Sequence, residues 1–148
     1  MVRGRGFTLV ELIGVIAIAG ILVAVAAPRF FSASTFETRG YLDGAKGFLR
    51  YAQKLAVARH ATLFVQADDS ALTLCAAAAA PCAGGNLLPG PGGQSPFRIE
   101  LPGHVTQSAS ASSLSFDSQG RPGGAYTLTV TGDGSQTVTV EAETGYVH

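Results

Sequence analysis

Few residues in this chain could do chemistry, and they are scattered. Cys75 and Cys82 enclose a loop of small residues, Ala76 to Pro81. A metal site needs more ligands at a suitable spacing, and no further Cys or His cluster lies near them. An isolated cysteine pair in a chain exported across a membrane reads as a disulfide, with two free thiols as the alternative. His60, His104 and His148 stand apart at no metal-ligand spacing and read as surface residues. Serines crowd Ser108 to Ser115 without a nucleophile elbow. Gly84-Gly85, Gly92-Gly93 and Gly123-Gly124 lack the Gly-Lys-Ser/Thr end of a phosphate loop. No catalytic residue, cofactor or metal is expected, and the chain reads as a non-enzyme.

One carboxylate is out of place. Glu11 sits five residues into an apolar run, Phe7 to Ala27, that follows the short basic stretch MVRGRG. As a helix the run would extend roughly 31 Å, enough for a hydrocarbon core of about 30 Å. Arg3 and Arg5 would hold the N-terminus on the cytoplasmic side. Ala24-Val25-Ala26 imitates a secretory cleavage site, but the run is long for a signal peptide and a signal core would not carry Glu11. A charge within an apolar helix costs about 2.5–3.5 kcal/mol on insertion scales, so it needs a partner, or a depth shallow enough to reach the headgroups.

Gly6-Phe7-Thr8-Leu9-Val10-Glu11, ahead of the hydrophobic run, resembles the processing signal of type IV prepilins and type II secretion pseudopilins. The resemblance implies that a prepilin peptidase cuts between Gly6 and Phe7 and N-methylates Phe7, making Glu11 the fifth mature residue. It also implies other pilin or pseudopilin subunits and the inner membrane as partners. The new Phe7 amine is a positive charge that a neighbouring subunit's Glu11 can neutralise, which sets axial register.

The rest of the 148-residue chain must fold around a thinner core, because much of its 47% apolar content lies in that first run. Pro28 lacks a helix N–H, so a kink or break is expected near it. Thr35 or Ser34 would then cap a second helical stretch, with Glu37 near its start. From Glu37 to about His60, Tyr41, Ala45, Phe48, Ala52 and Leu55 recur at helical spacing, widened by Leu49 and Ala56. Lys46, Arg50, Lys54 and Arg59 fall largely on the solvated side. Strands are predicted over Thr62–Gln66, Leu72–Cys75, Phe97–Leu101, Leu114–Phe116, Tyr126–Thr131 and Thr137–Glu141, with a short one at Tyr146-Val147. Asp68-Asp69-Ser70 and Gly132-Asp133-Gly134-Ser135 are turn signals, and Cys82 to Pro96 reads as a long loop anchored by the disulfide.

The expected fold is α+β and pilin-like: a long N-terminal helix, half membrane-spanning and half amphipathic, packed on a C-terminal antiparallel sheet. The expected division is a leader at 1–6, a membrane or filament-core helix at 7–28 and a periplasmic head at 29–148. Ser115-Phe116-Asp117-Ser118-Gln119-Gly120-Arg121-Pro122 and Thr144-Gly145-Tyr146-Val147 resemble the phenylalanine–glycine turn and closing glycine strand of the GspH/FimT-like minor pseudopilins. The stretch from Phe30 through Ala58 is similar to minor pilins of mannose-sensitive haemagglutinin-type pili. These resemblances imply a structural subunit that initiates or caps a type IV pilus or a type II secretion pseudopilus. The alternative is a DNA- or surface-binding minor pilin at a filament tip, and a third reading is an anchored domain that never polymerises. The formal charge is zero; losing Arg3 and Arg5 would leave eight basic against ten acidic side chains. With an acidic end, Glu141 to His148, that balance argues against nucleic acid as a partner.

Overall fold

The computed structural model describes residues 8–78, 82 and 84–148, leaving aside the side chains of 27–34. One helix, α1 (Leu9–Arg59), is followed by β1 (Leu63–Ala67), β2 (Ala71–Cys75), β3 (Arg98–Glu100), β4 (Thr106–Ala109), β5 (Ser113–Phe116), β6 (Tyr126–Thr131) and β7 (Ser135–Val140). The chain divides after Ser34 into two compact units.

Helix α1 begins at a cap. The Thr8 carbonyl accepts from Leu12 N–H at 3.1 Å, and the Thr8 hydroxyl accepts from Glu11 N–H at 3.3 Å. The break expected near Pro28 and the separate helix start expected at Ser34 or Thr35 are corrected further along. The helix runs 51 residues, through Pro28 and without a second start near Ser34 or Thr35. A proline removes one backbone bond and costs about 3 kcal/mol, which does not by itself end a helix. Thr35, lying inside the helix, donates its hydroxyl to Asp133 Oδ2 at 3.0 Å instead of capping. The C-terminal end closes as a Schellman turn: Ala61 N–H reaches the Ala56 carbonyl, His60 N–H reaches that of Val57, and His60 takes φ 50°.

In the second unit, Thr35 to His148, the apolar stripe of α1 is buried. Tyr41, Leu42, Ala45, Phe48, Leu49, Ala52 and Ala56 enter the core, while Leu55 is only partly covered. The three alanines let backbone approach backbone where a larger side chain would hold the layers apart. Against them lie Leu63, Val65, Leu72, Leu74, Leu114 and Phe116 from one sheet, with Tyr126, Leu128, Val130, Val138 and Val140 from the other.

The strands form two antiparallel sheets, where one was expected: β3-β2-β1-β5 and β4-β6-β7. Strand β4 was not anticipated, because Thr-Gln-Ser-Ala carries no large apolar residue; pairing with β6 makes it a strand. The sheets are tied by Gln107 on β4. Its Oε1 accepts the Tyr41 hydroxyl at 2.6 Å, and its Nε2 donates to the Asp68 and Ala71 carbonyls at the β1–β2 turn. That turn is held by the Asp68 carboxylate, which accepts from the Ser70 amide, the Ser70 hydroxyl and the Ala71 amide. Burial by itself would raise the Asp68 pKa; these hydrogen bonds, with Arg98 nearby, outweigh it and hold the carboxyl below its usual value.

The predicted long loop is anchored at more than one end. Cys75 and Cys82 are joined, with S–S 2.09 Å and Cα–Cα 5.9 Å. Leu87 bridges to Cys75, Leu88 is buried, and Phe97 stacks on Phe48 at 4.6 Å while meeting Tyr51 edge-on at 5.0 Å.

Candidate functional site

The first candidate is the uncovered half of α1. From Thr8 to Ala26 every residue is exposed, among them Leu9, Val10, Leu12, Ile13, Ile16, Ile18, Leu22 and Val25. The window Leu9–Ala26 has a mean hydropathy of 2.7, long and apolar enough to cross a membrane. A surface of that kind left in water would forfeit about 25 cal/mol for each Å² of apolar area, so it requires lipid or other helices around it.

Glu11 stands in the first turn of this helix. Thr8-Leu9-Val10-Glu11 has the spacing of a capping box, a signal that sequence reasoning passed over in favour of the buried-charge puzzle. A carboxylate at this position faces the positive end of the helix dipole, worth about 0.3–1 kcal/mol. Glu11 thus has a local reason to be acidic, and among the described residues no cation is paired with its carboxylate. Gly6 and Phe7, the expected cleavage and methylation residues, lie outside the described residues.

The second candidate lies in the head, where polar side chains of α1 fasten the C-terminal segment. Tyr146 to His148 form a short extra strand on β7: Thr139 and His148 exchange two backbone bonds, Val140 bridges Val147, and Glu141 N–H reaches the Tyr146 carbonyl. Arg50 Nη2 donates to the Val147 carbonyl at 2.8 Å. Gln53 Nε2 donates to the carbonyls of Gly120 at 2.9 Å and Thr144 at 3.2 Å. Both glycines of the resemblance have physical duties here. Gly120 (φ +80°) would set a Cβ 3.0 Å from Val57, and Gly145 (φ +68°) would set one on Gln53 Nε2 and 2.7 Å from the Gly120 carbonyl oxygen. Sequence reading placed Arg50 among solvated charges and gave Gln53 no role; the spacing of Gln53 to glycines more than sixty residues away carries no local signal.

Glu37, expected at a helix start, lies within α1 with its Oε2 3.3 Å from His104 Nε2. His60 and His148 are exposed, and among the described residues no three of His, Cys, Asp and Glu come together to hold a metal. A cavity of about 380 Å³ on the four-stranded sheet is lined by Gln66, Asp68, Thr73, Cys82 and Arg98. Its polar groups are largely engaged already: Gln66 Oε1 accepts Cys82 N–H, and Arg98 donates to Ser70.

An uncovered apolar helical half joined to a helix-backed antiparallel head, locked by its own C-terminal strand, defines the pilin class of fold. Residues 1–27 match the Prokaryotic N-terminal methylation motif, and residues 45–144 match the model described as Type II transport protein GspH. The chain belongs to this GspH family and is a GspH/FimT-like minor pilin or pseudopilin. The Type IV narrow pilus major component PilA5 of Thermus thermophilus is 43% identical over 54 residues, which is 36% of this chain and 47% of that protein. The chain therefore spans about half the length of that curated relative. Two crystal forms of the Pseudomonas aeruginosa type IV minor pilin FimU share the fold. One has TM-score 0.58 at 15% identity, covering 74% of this chain and 90% of FimU; the other has 0.57 at 14%, covering 79% and 87%.

Proposed function

We propose that the chain is processed between Gly6 and Phe7, N-methylated at Phe7, and built as a structural subunit into a type IV pilus or type II secretion pseudopilus, which it initiates or caps. The observation that carries this is the apolar helical half with no cover of its own, lying within the match to the methylation motif. Before assembly, lipid of the inner membrane covers it, with the head, residues 29–148, in the periplasm. After assembly, the same surface is covered by equivalent helices of neighbouring subunits. The subunit catalyses no reaction of its own.

In this reading Glu11 has two tasks. It places a negative charge in the first turn, at the positive end of its own helix, and its carboxylate meets the Phe7 amine of the adjoining subunit. Two unit charges at about 4 Å attract by roughly 4 kcal/mol at an effective dielectric of 20, and desolvation offsets much of this. The pair therefore selects register more than it adds stability. The cysteine bridge serves the head, closing the small loop between β2 and the segment that leads to β3.

Processing is tested by intact-mass analysis of the membrane fraction. Gly6→Ala should leave the precursor uncut, and wild-type-like processing of that variant would overturn the proposal. For assembly, Glu11→Leu should be cleaved and remain in the membrane, yet be absent from sheared filaments. Its undisturbed incorporation would remove the role given to the carboxylate.

A further inference from the structure

The three-stranded sheet carries its apolar residues inward on alternate positions, so the other positions of β4, β6 and β7 form its outer face. Strand pairing sets these outer residues in rows. Thr106, Thr131 and Ser135 share one row; Ser108, Thr129 and Thr137 share the next; Thr127 and Thr139 continue the pattern. Thr139 pairs in turn with His148, and Glu141 with Tyr146, on the added C-terminal strand. Every outward side chain of the three strands ends in a hydroxyl-bearing carbon, and none is charged.

Threonine suits exposed strands, which explains single residues of this kind. It does not explain why lysine, glutamate and arginine are missing from all these positions. Exposed strands and sheet edges ordinarily carry charge, lysine above all, to prevent unwanted pairing. The face is instead a neutral array, with neighbours about 4.8 Å apart across strands and about 6.7 Å apart along them. At its border Tyr146 is 59% exposed, its ring meeting that of His148 edge-on at 5.4 Å. Its backbone N–H is fixed on the Thr144 hydroxyl at 3.1 Å.

We propose that this face binds a neutral polysaccharide. Each threonine or serine hydroxyl both donates and accepts, as sugar hydroxyls do, and needs no counter-charge. The exposed Tyr146 ring offers an apolar platform with a polar tip, suited to the C–H face of a pyranose ring. Glu141 beside it disfavours anionic polymers, and no lysine or arginine stands in the rows to attract them. Rows on an open sheet face fit an extended chain or the surface of an ordered polymer better than one sugar unit. Binding at each row is weak, and repetition along the polymer supplies the retention.

Full-length protein in detergent micelles is incubated with microcrystalline cellulose and with chitin at about 1 M salt, where the Debye length is only about 3 Å. Depletion from the supernatant is the readout, so the result does not depend on filament assembly or on processing. Wild-type protein should be depleted by at least one of these polymers. Tyr146→Ala and the double variant Thr129→Val, Thr137→Val should each weaken binding roughly tenfold, about 1.4 kcal/mol, with unchanged thermal unfolding. Failure of the wild-type protein to bind either polymer would overturn the proposal, as would undiminished binding by both variants. Equal or stronger retention on alginate at the same salt would mean that the face does not select neutral polymers and would overturn it too.

Discussion

Replacing Gly145 by alanine should loosen the C-terminal strand more than any change of comparable size on the surface. Gly145 has φ +68°, a left-handed conformation that costs an L-residue about 1–2 kcal/mol. The added Cβ would fall on Gln53 Nε2 and 2.7 Å from the Gly120 carbonyl oxygen. Gln53 must then withdraw from the carbonyls it serves at 2.9 and 3.2 Å. Two hydrogen bonds at about 0.5–1.5 kcal/mol each bring the total loss to roughly 2–5 kcal/mol. For a head of this size that corresponds to a fall in Tm of about 10 °C or more. All four tyrosines, Tyr41, Tyr51, Tyr126 and Tyr146, lie in the head, so near-UV circular dichroism of the full-length protein in detergent follows head unfolding while the N-terminal helix stays silent. The paired measurement is Gln53→Ala, alone and with Gly145→Ala. Because the new methyl collides with the Gln53 amide, the two losses should overlap by about 1 kcal/mol or more. A Tm for Gly145→Ala within a degree or so of wild type, or simple additivity in the double variant, would refute the latch.

Tyr126 and Tyr41 should respond oppositely to loss of their hydroxyls. The Tyr126 hydroxyl is buried with no hydrogen-bond partner among the described residues, and burial pushes its pKa up to about 12. Tyr126→Phe should therefore be neutral or stabilising, whereas Tyr41→Phe, which strips the 2.6 Å bond from Gln107, should cost about 1–2 kcal/mol in urea unfolding. Equal costs for the two would contradict this. Asp68 has a depressed folded-state pKa, so its stabilisation is present above the unfolded value of about 3.9 and is lost as pH falls through the folded one. Asp68→Asn should flatten that part of the acid-denaturation curve, and an unchanged curve would show that its hydrogen bonds at the β1–β2 turn are made equally in both protonation states. Cys75→Ser with Cys82→Ser should lower head stability by roughly 2–3 kcal/mol on the chain-entropy model, with equal urea midpoints as the contrary result. His60→Gly should raise stability by about 0.5–1 kcal/mol, since glycine relieves the left-handed φ of 50°; a lowered midpoint would argue that the His60 side chain matters.

What local sequence determined is what local forces decide. The apolar run from Phe7 announces a helix needing lipid or partners, because its length and composition alone set that requirement. The stripe Tyr41, Ala45, Phe48, Ala52 repeats at helical period, so its buried face was legible, as was β6 from the alternation in Tyr126 to Thr131. The Asp68 turn and the single possible cysteine pairing were legible for the same reason. Tertiary structure decided the rest. Pro28 offers one lost hydrogen bond against a helix of 51 residues, and no local rule says which prevails. Thr35 resembles a cap until Asp133 accepts its hydroxyl from nearly a hundred residues away. Thr106 to Ala109 become a strand only because β6 supplies an edge, and two sheets arise because consecutive strands β4 and β5 find different partners. Gln53, Arg50 and Gln107 gain their roles the same way, since a hydrogen bond to a distant carbonyl depends on the packing of the layers and leaves no trace in neighbouring residues.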